Sequence, residues 1–394
     1  MAEDRKRKMK DLIRQLHAGA SPQEVKEGFK EALQGVSPLE IAEIEEELVE
    51  EGLPREEIRR LCDVHLAVLS EQLQKQRMEV ASENPISILI EEHKIFLQLL
   101  ERLSANVSNI QRAEKIDHAT TEITQLKQIA HDLLSAEEHY LREENVLFPI
   151  LERHGITEPP AIMWMEHNEL RDKKKHLYSI IDNYSAVSFQ DLKEQLGETA
   201  KSLSTFLSSH IFKENNVLFP TALRVFTEQE WRDVRKEFDE IGYPYFTPKH
   251  LIDMPTAVPV ERRKPAHEPG SEGLLRLEKG TLSKDEVEAI LNALPVDITF
   301  VDKEDTVRYF SKAEGRIFVR TKAVIGRKVQ LCHPQKSIHI VEKILKALKE
   351  QKKDVAEFWI RKDNRLIHIR YLPVKDRDEK YLGTIEVTQD ITDL

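Results

Sequence analysis

The feature that most constrains this chain is a pattern that occurs twice, as His139-Tyr-Leu-Arg-Glu143-Glu-Asn-Val-Leu-Phe-Pro149 and as His210-Ile-Phe-Lys-Glu214-Asn-Asn-Val-Leu-Phe-Pro220. Both copies read HxxxExNVLFP. Each is preceded at a similar distance by a Glu-His pair, Glu92-His93 before the first and Glu166-His167 before the second. An α-helix turns once every 3.6 residues, so His139 and Glu143, like His210 and Glu214, project from one face a turn apart. One HxxxE proves little, but a duplicated unit with the same tail and the same upstream partner is hard to obtain from surface helices that happen to carry these residues.

The stretches between are rich in Leu, Ile, Ala, Glu and Lys at helical spacing. Ile86, Leu89, Ile90, His93, Phe96, Leu97 and Leu100 form one stripe, which puts His93 on a face turned to a core. The pattern predicts four helices, roughly 85–108, 117–150, 159–184 and 189–224. Antiparallel, up-down packing gathers four His and two Glu inside the bundle, where such folds build metal sites. Without a ligand to neutralise them, six converging polar groups would be costly to bury. Imidazole with carboxylate suits iron, manganese or zinc, and two carboxylates on related helices suit a bridged pair of metals.

His93, His139-x-x-x-Glu143, His167 and His210-x-x-x-Glu214 resemble the H…HxxxE…H…HxxxE signature of the hemerythrin-like (HHE) cation-binding domain over about 85–225. The resemblance implies a non-haem di-iron centre, with the four histidines as terminal ligands and the two glutamates bridging the irons. One position departs from the oxygen carriers of that family, which have a second histidine one turn after the third-helix histidine. Here that position is Arg171. His118 or His131 could supply a fifth histidine, and spacing selects neither. The pattern is closer to the iron-centre repair and regulatory branch of the family than to the oxygen carriers.

A length of 394 residues suggests about three domains. Residues 1–76 read as short helices with capping boxes at Ser21-Pro-Gln-Glu24 and Ser37-Pro-Leu-Glu40. Their EEGLPREEIRRLCDVH run resembles the helical family of unknown function 438. Cys62 and His65 share a helix face and could offer a thiolate and an imidazole to a metal or haem. Two ligands make an incomplete site, which favours a buried cysteine beside a boundary histidine. The bundle is expected over 84–226 and a helical extension with a Pro-rich linker over 227–272, with prolines at 244, 248, 255, 259, 265 and 269.

Residues 273–394 change texture. A helix from Ser283 to Leu294 is followed by two strands (Val296–Asp302, Thr306–Phe310), an amphipathic helix (Gln335–Leu348) and three strands (Val355–Arg361, Leu366–Pro373, Tyr381–Asp390). That order gives an α+β domain with an antiparallel sheet and helices on one side. The segments LPVDITFVDKEDTVRYFS, GRKVQLCHPQKS and GTIEVTQDIT resemble a PAS sensor domain, which implies ligand sensing or dimerisation. Cys332 and His333, with His339 further on, are candidate haem ligands there, although a His-Pro at this place is common in PAS domains with or without haem.

The chain is 33% charged with a net charge of −11, which argues against a partner gripped through nucleic-acid phosphates. No run of 18 apolar residues suggests a transmembrane helix, the N-terminus lacks a secretory pattern, and two cysteines in different domains fit a reducing cytoplasm. The expected function is a di-iron sensor or regulator responding to oxygen, nitric oxide, redox state or iron supply. Its PAS domain would signal through a homodimer or a protein partner. With little chain after the closing strand, output is expected to pass through association or the N-terminal domain. The alternative is a di-iron enzyme of nitric oxide or peroxide detoxification or of iron–sulfur cluster repair.

Overall fold

A computed structural model of the chain describes residues 80–253, 274–277, 279–312 and 316–393, together with residues 7, 8, 11, 12, 15, 47, 51 and 52. Cys62 and His65 lie outside the described residues, as do residues 254–273 of the expected linker. The chain divides into two compact units, Met1–Pro255 and Thr256–Leu394.

Within the first unit residues 86–225 form a four-helix bundle. Helices α1 (Ile86–Arg112), α2 (Thr120–Leu134), α3 (Glu137–Arg142), α4 (Phe148–Arg153), α5 (Glu158–Asp182), α6 (Phe189–Lys213) and α7 (Phe219–Val225) make its four rods. α1 packs on α2 and α6, and α5 packs on the same two. The stripe of α1 explains its place, since Ile86, Leu89, Phe96, Leu99, Leu100, Leu103, Val107 and Ile110 are all buried. Burying each such side chain is worth about 1.5–3 kcal/mol. Apolar clusters lie at both ends of the rods, one around Leu103, Leu133, Leu177 and Leu203, the other around Leu89, Phe148, Met163 and Phe219. The His and Glu positions fall between them. Leu12 of the N-terminal segment joins the second cluster.

The second rod differs from the expected unbroken helix over 117–150. It is interrupted after Leu134, where the Ser135 hydroxyl donates to the Asp132 carbonyl at 2.9 Å and so competes with the backbone ladder. After the bundle, α8 (Glu228–Ile241) opens with a complete Thr227/Glu230 capping box, and Gly242, at φ 93°, turns the chain back over the bundle into α9 (Lys249–Ile252). The Pro-rich stretch that reads as the beginning of a linker is therefore packed as far as Ile252, with Thr247 and Leu251 buried.

The second unit is α+β. A hairpin of β1 (Leu274–Leu277) and β2 (Gly280–Ser283) precedes α10 (Lys284–Ala293). Its strands, Leu-Leu-Arg-Leu and Gly-Thr-Leu-Ser, show no apolar/polar alternation in the sequence. The main sheet contains β3 (Asp297–Asp302), β4 (Val307–Phe310), β5 (Ala356–Lys362), β6 (Arg365–Lys375) and β7 (Tyr381–Asp390). Its order is β4-β3-β7-β6-β5, with every pair antiparallel. α11 (Gln335–Lys349) packs on β6 and β7. Gly383 has a steric role, because a Cβ there would lie 2.2 Å from the Val301 carbonyl oxygen on the paired strand. No helix among the described residues is long and apolar enough to cross a membrane.

Candidate metal centre

The repeated tail of the motif shapes the backbone at the site. A proline inside a helix has no N–H to donate and its ring crowds the carbonyl four residues back. Ahead of Pro149 the helix widens into a π-turn, Glu143–Leu147, and the Phe148 N–H reaches the Glu143 carbonyl. Ahead of Pro220 the same happens over Glu214–Leu218, with the Phe219 N–H on the Glu214 carbonyl. The repeated asparagines fit this distortion. Asn145 Nδ2 donates to the Leu141 carbonyl at 3.0 Å and Asn216 Nδ2 to that of Phe212 at 2.8 Å. Such π-turns concentrate at functional sites, and both begin here at the glutamate of HxxxE.

Six side chains converge between the apolar clusters, each no more than 1% exposed. One potential donor atom from each of His93, His139, Glu143 and Glu214 lies within 4.8 Å of the others, and the same holds for His167, His210 and Glu214. Glu214 is common to both groups. Its Oε2 lies 3.0 Å from His93 Nε2, while its Oε1 lies 2.8 Å from His210 Nε2 and 3.4 Å from His167 Nε2. Glu143 Oε2 is 3.2 Å from His167 Nε2 and 3.8 Å from His139 Nε2.

Around this cluster every histidine is gripped from behind through Nδ1. His139 is held by Glu92 at 2.6 Å and His210 by Glu166 at 2.8 Å. His167 is held by Glu144 at 2.9 Å and His93 by Asn215 Oδ1 at 2.9 Å. All four acceptors are oxygens, so each Nδ1 carries a proton and each Nε2 faces inward, the orientation a metal-binding imidazole needs. The phenylalanines of the repeat add packing, with Phe148 stacked on His167 and Phe219 on His93. Cations stand behind the outer carboxylates. Arg142 donates to both oxygens of Glu92 at 2.7 and 2.6 Å, Lys213 to Glu166 at 2.5 Å, and Arg171 to Glu144 at 2.8 and 3.1 Å.

The charges sort themselves accordingly. Burial alone would raise the Glu92 carboxyl, but Arg142 and His139 outweigh it and hold it down at about 2. Glu144 and Glu166 are likewise lowered against burial, by Arg171 and His167 and by His210 and Lys213 respectively. Among the described residues the inner pair has no lysine or arginine partner. Burial and the neighbouring Glu214 push Glu143 up to about 7, and burial drops His139 to about 4. Among the described residues both Glu143 oxygens are buried without a hydrogen-bond partner. Four imidazole nitrogens and two carboxylates in a buried interior without lysine or arginine beside them among the described residues fit bound cations, which would satisfy those atoms and neutralise the charge.

The structure thus brings together all six residues expected from the sequence. His118 and His131 are exposed and stand apart from the cluster. Arg171, at the departing position, supports Glu144 and Glu137 instead. In the second unit, Cys332 packs among Val301, Val307, Val329 and Leu345, His333 Nδ1 bonds the Val329 carbonyl at 2.8 Å, and His339 is exposed. No cluster with metal-ligand spacing among the described residues includes any of these three. Sequence reasoning missed the outer layer. Glu92 and Glu166 were visible beside His93 and His167, but each serves the histidine of another helix. It also missed Lys174, a buried amine lowered to about 7 by burial, which donates to the Tyr140 hydroxyl at 3.0 Å beneath the cluster.

Comparison with known proteins places three families along the chain. The model of the hemerythrin HHE cation binding domain matches residues 84–222, that of a family of unknown function (DUF438) matches 9–75, and that of a PAS domain matches 287–392. Similar solved structures include the C-terminal domain of a protein from Streptococcus mutans, 32% identical, covering 30% of this chain and 93% of that one with a TM-score of 0.29. Another is the PAS domain of a protein from Colwellia psychrerythraea, 17% identical, covering 28% and 98% with a TM-score of 0.23. A sensory box sensor histidine kinase from Vibrio cholerae is 10% identical, covering 27% and 90% with a TM-score of 0.22. No curated protein matches the chain.

Proposed function

Since this chain sets a hemerythrin HHE cation-binding domain between a DUF438 segment and a PAS domain, we propose that it is a sensor that binds a pair of irons in its bundle and signals through the PAS domain. His93 and His139 would hold one ion and His167 and His210 the other, with Glu214 and Glu143 shared between them. The observation that carries this reading is Glu214, whose two oxygens face the two histidine pairs separately. The absence of thiolate from the donor set suits iron or manganese, and the family resemblance favours iron.

Bound iron would supply redox change and open positions for oxygen or nitric oxide. The protein's part is to hold each imidazole by Nδ1, to exclude water with Phe96, Phe148 and Phe219, and to keep a proton available at Glu143 when the ions are absent. Association through the PAS domain, with itself or with another protein, carries the output.

Metal analysis of the full chain, with absorption spectra taken reduced, oxidised and after nitric oxide, tests the reading. The expected result is two irons per chain and one stoichiometric spectral event with each reagent. Steady consumption of nitric oxide or peroxide would assign an enzyme instead, and absence of metal would overturn both.

A further inference from the structure

The outer layer of the centre is not supplied by the four-helix bundle alone. The hemerythrin match ends at residue 222, yet Thr247 Oγ1 donates to Glu92 Oε1 at 2.6 Å, and Glu92 Oε2 holds His139 Nδ1 at 2.6 Å. Thr247 is 3% exposed. Its segment, Gly242 to Ile252, lies across the bundle as a strap. Phe246 packs edge-on against Phe96, whose ring stands edge-on to His139. Tyr243 covers the Arg142 guanidinium at 4.7 Å, and Tyr245 donates to Asp132. At the far end Arg235 of α8 donates to the carbonyls of Leu251 and Ile252. The strap therefore meets the His139 half of the centre by a polar route through Glu92 and an apolar route through Phe96. In the His210 half Glu166 is held by Lys213 and His210, and no hydroxyl bonds it among the described residues.

We infer that this strap is a positioning element of the metal centre, docked through Thr247 on Glu92, and that its docking is coupled to occupancy of the His93/His139 half-site. The inference rests on the bundle holding metal. A cation on His139 Nε2 makes the Nδ1–H a stronger donor, so an anchored Glu92 gains value when the site is filled. Coupling is reciprocal: the factor by which the strap tightens metal binding is the factor by which metal protects the docked strap. In the sequence the strap lies between the hemerythrin-matched and the PAS-matched parts of the chain.

The test uses the full chain with manganese(II) as a redox-quiet probe, followed by amide hydrogen exchange and by chelator competition. Metal should slow exchange in residues 243–252 about ten-fold in the unaltered protein, and Thr247→Val should weaken metal binding by about the same factor and abolish that protection. Thr247→Ser, which restores the hydroxyl, should recover both, a rescue that mere loss of packing would not show. Strap exchange indifferent to metal while the helices around His93 and His210 become protected would overturn the inference and leave the metal reading standing. So would a Thr247→Val protein that binds manganese as tightly as the unaltered chain, or a Thr247→Ser protein as impaired as Thr247→Val. Failure of the unaltered chain to bind manganese or iron overturns the metal reading and the inference with it.

Discussion

His93 and His167 occupy equivalent places in the duplicated unit, yet the groups behind them differ. His167 is backed by the Glu144 carboxylate, which is matched by Arg171 one helical turn beyond the histidine. His93 is backed by the neutral Asn215, and the position one turn beyond it is Leu97, partly exposed. Carboxylate and cation occur together or not at all, so the arginine at the position where oxygen carriers have an extra histidine belongs to a charge pair with Glu144. A similar contrast separates Glu92, with Arg142 and Thr247 upon it, from Glu166, with Lys213 alone behind it. The inner donors are identical in the two halves, as the proposed pair of cations would require. The outer acceptors need only take an Nδ1–H, and so are free to diverge.

The sharpest way to break this near-symmetry is at the shared carboxylates. Glu214 belongs to both donor groups and Glu143 to one. Glu214→Ala should therefore reduce metal content from about two ions per chain to less than one, and Glu143→Ala should lose about one. Elemental analysis of the purified variants decides it, and full retention in both would remove the bridging assignment.

A second contrast lies in pH. Burial and Glu214 raise the Glu143 carboxyl to about 7, so the folded metal-free protein binds a proton there that the unfolded chain, with an ordinary value near 4.5, has lost. The stability from this group is present at low pH and disappears as pH rises from about 4.5 to 7. Denaturant titrations of metal-free Glu143→Gln should show it gaining on the unaltered protein across that window, by up to about 3 kcal/mol. Glu214 is shifted the other way, since His210 together with hydrogen bonds from His167, His210 and His93 more than offsets its burial. Its contribution is present above the ordinary carboxylate value and lost as pH falls, so Glu214→Gln should fall behind the unaltered protein as pH rises from acid. Parallel trends in the two variants would show that the carboxylates are not differentiated.

The smallest effect expected is at the outer asymmetry itself. Asn215→Asp places a carboxylate behind His93, as behind the other three histidines, and should tighten metal binding by up to about ten-fold. Adding Leu97→Arg should recover any stability lost to the new charge. Unchanged affinity by chelator competition would mean that the charge of the outer acceptor does not tune the site.

In the second unit the five long strands were readable because alternation over four or more residues survives without knowledge of the partner strand. The hairpin Leu274–Ser283 was not, since its pairing is what defines it. In the bundle the six inner residues were legible for a local reason: helical periodicity decides which side chains share a face, and the duplication removed the ambiguity of a lone HxxxE. Pro149 and Pro220 were equally visible, but the π-turns they induce depend on where the widened backbone can be accommodated, and an unbroken α-helix was the simpler expectation. Composition marked Tyr243–Ile252 as linker because it counts prolines. Whether Thr247 finds Glu92, and Leu251 a place against the bundle, is a matter of three-dimensional complementarity that composition does not contain. The sequence by itself determined the main helical rods, the five strands of the main sheet and the residues that could face a cation, since these follow from short-range periodicity. Only the tertiary structure decided that Glu92 serves His139 rather than its neighbour His93, that Arg171 belongs to Glu144, and that Thr247 of a strap outside the repeat bonds Glu92, because those pairings join residues far apart in the chain.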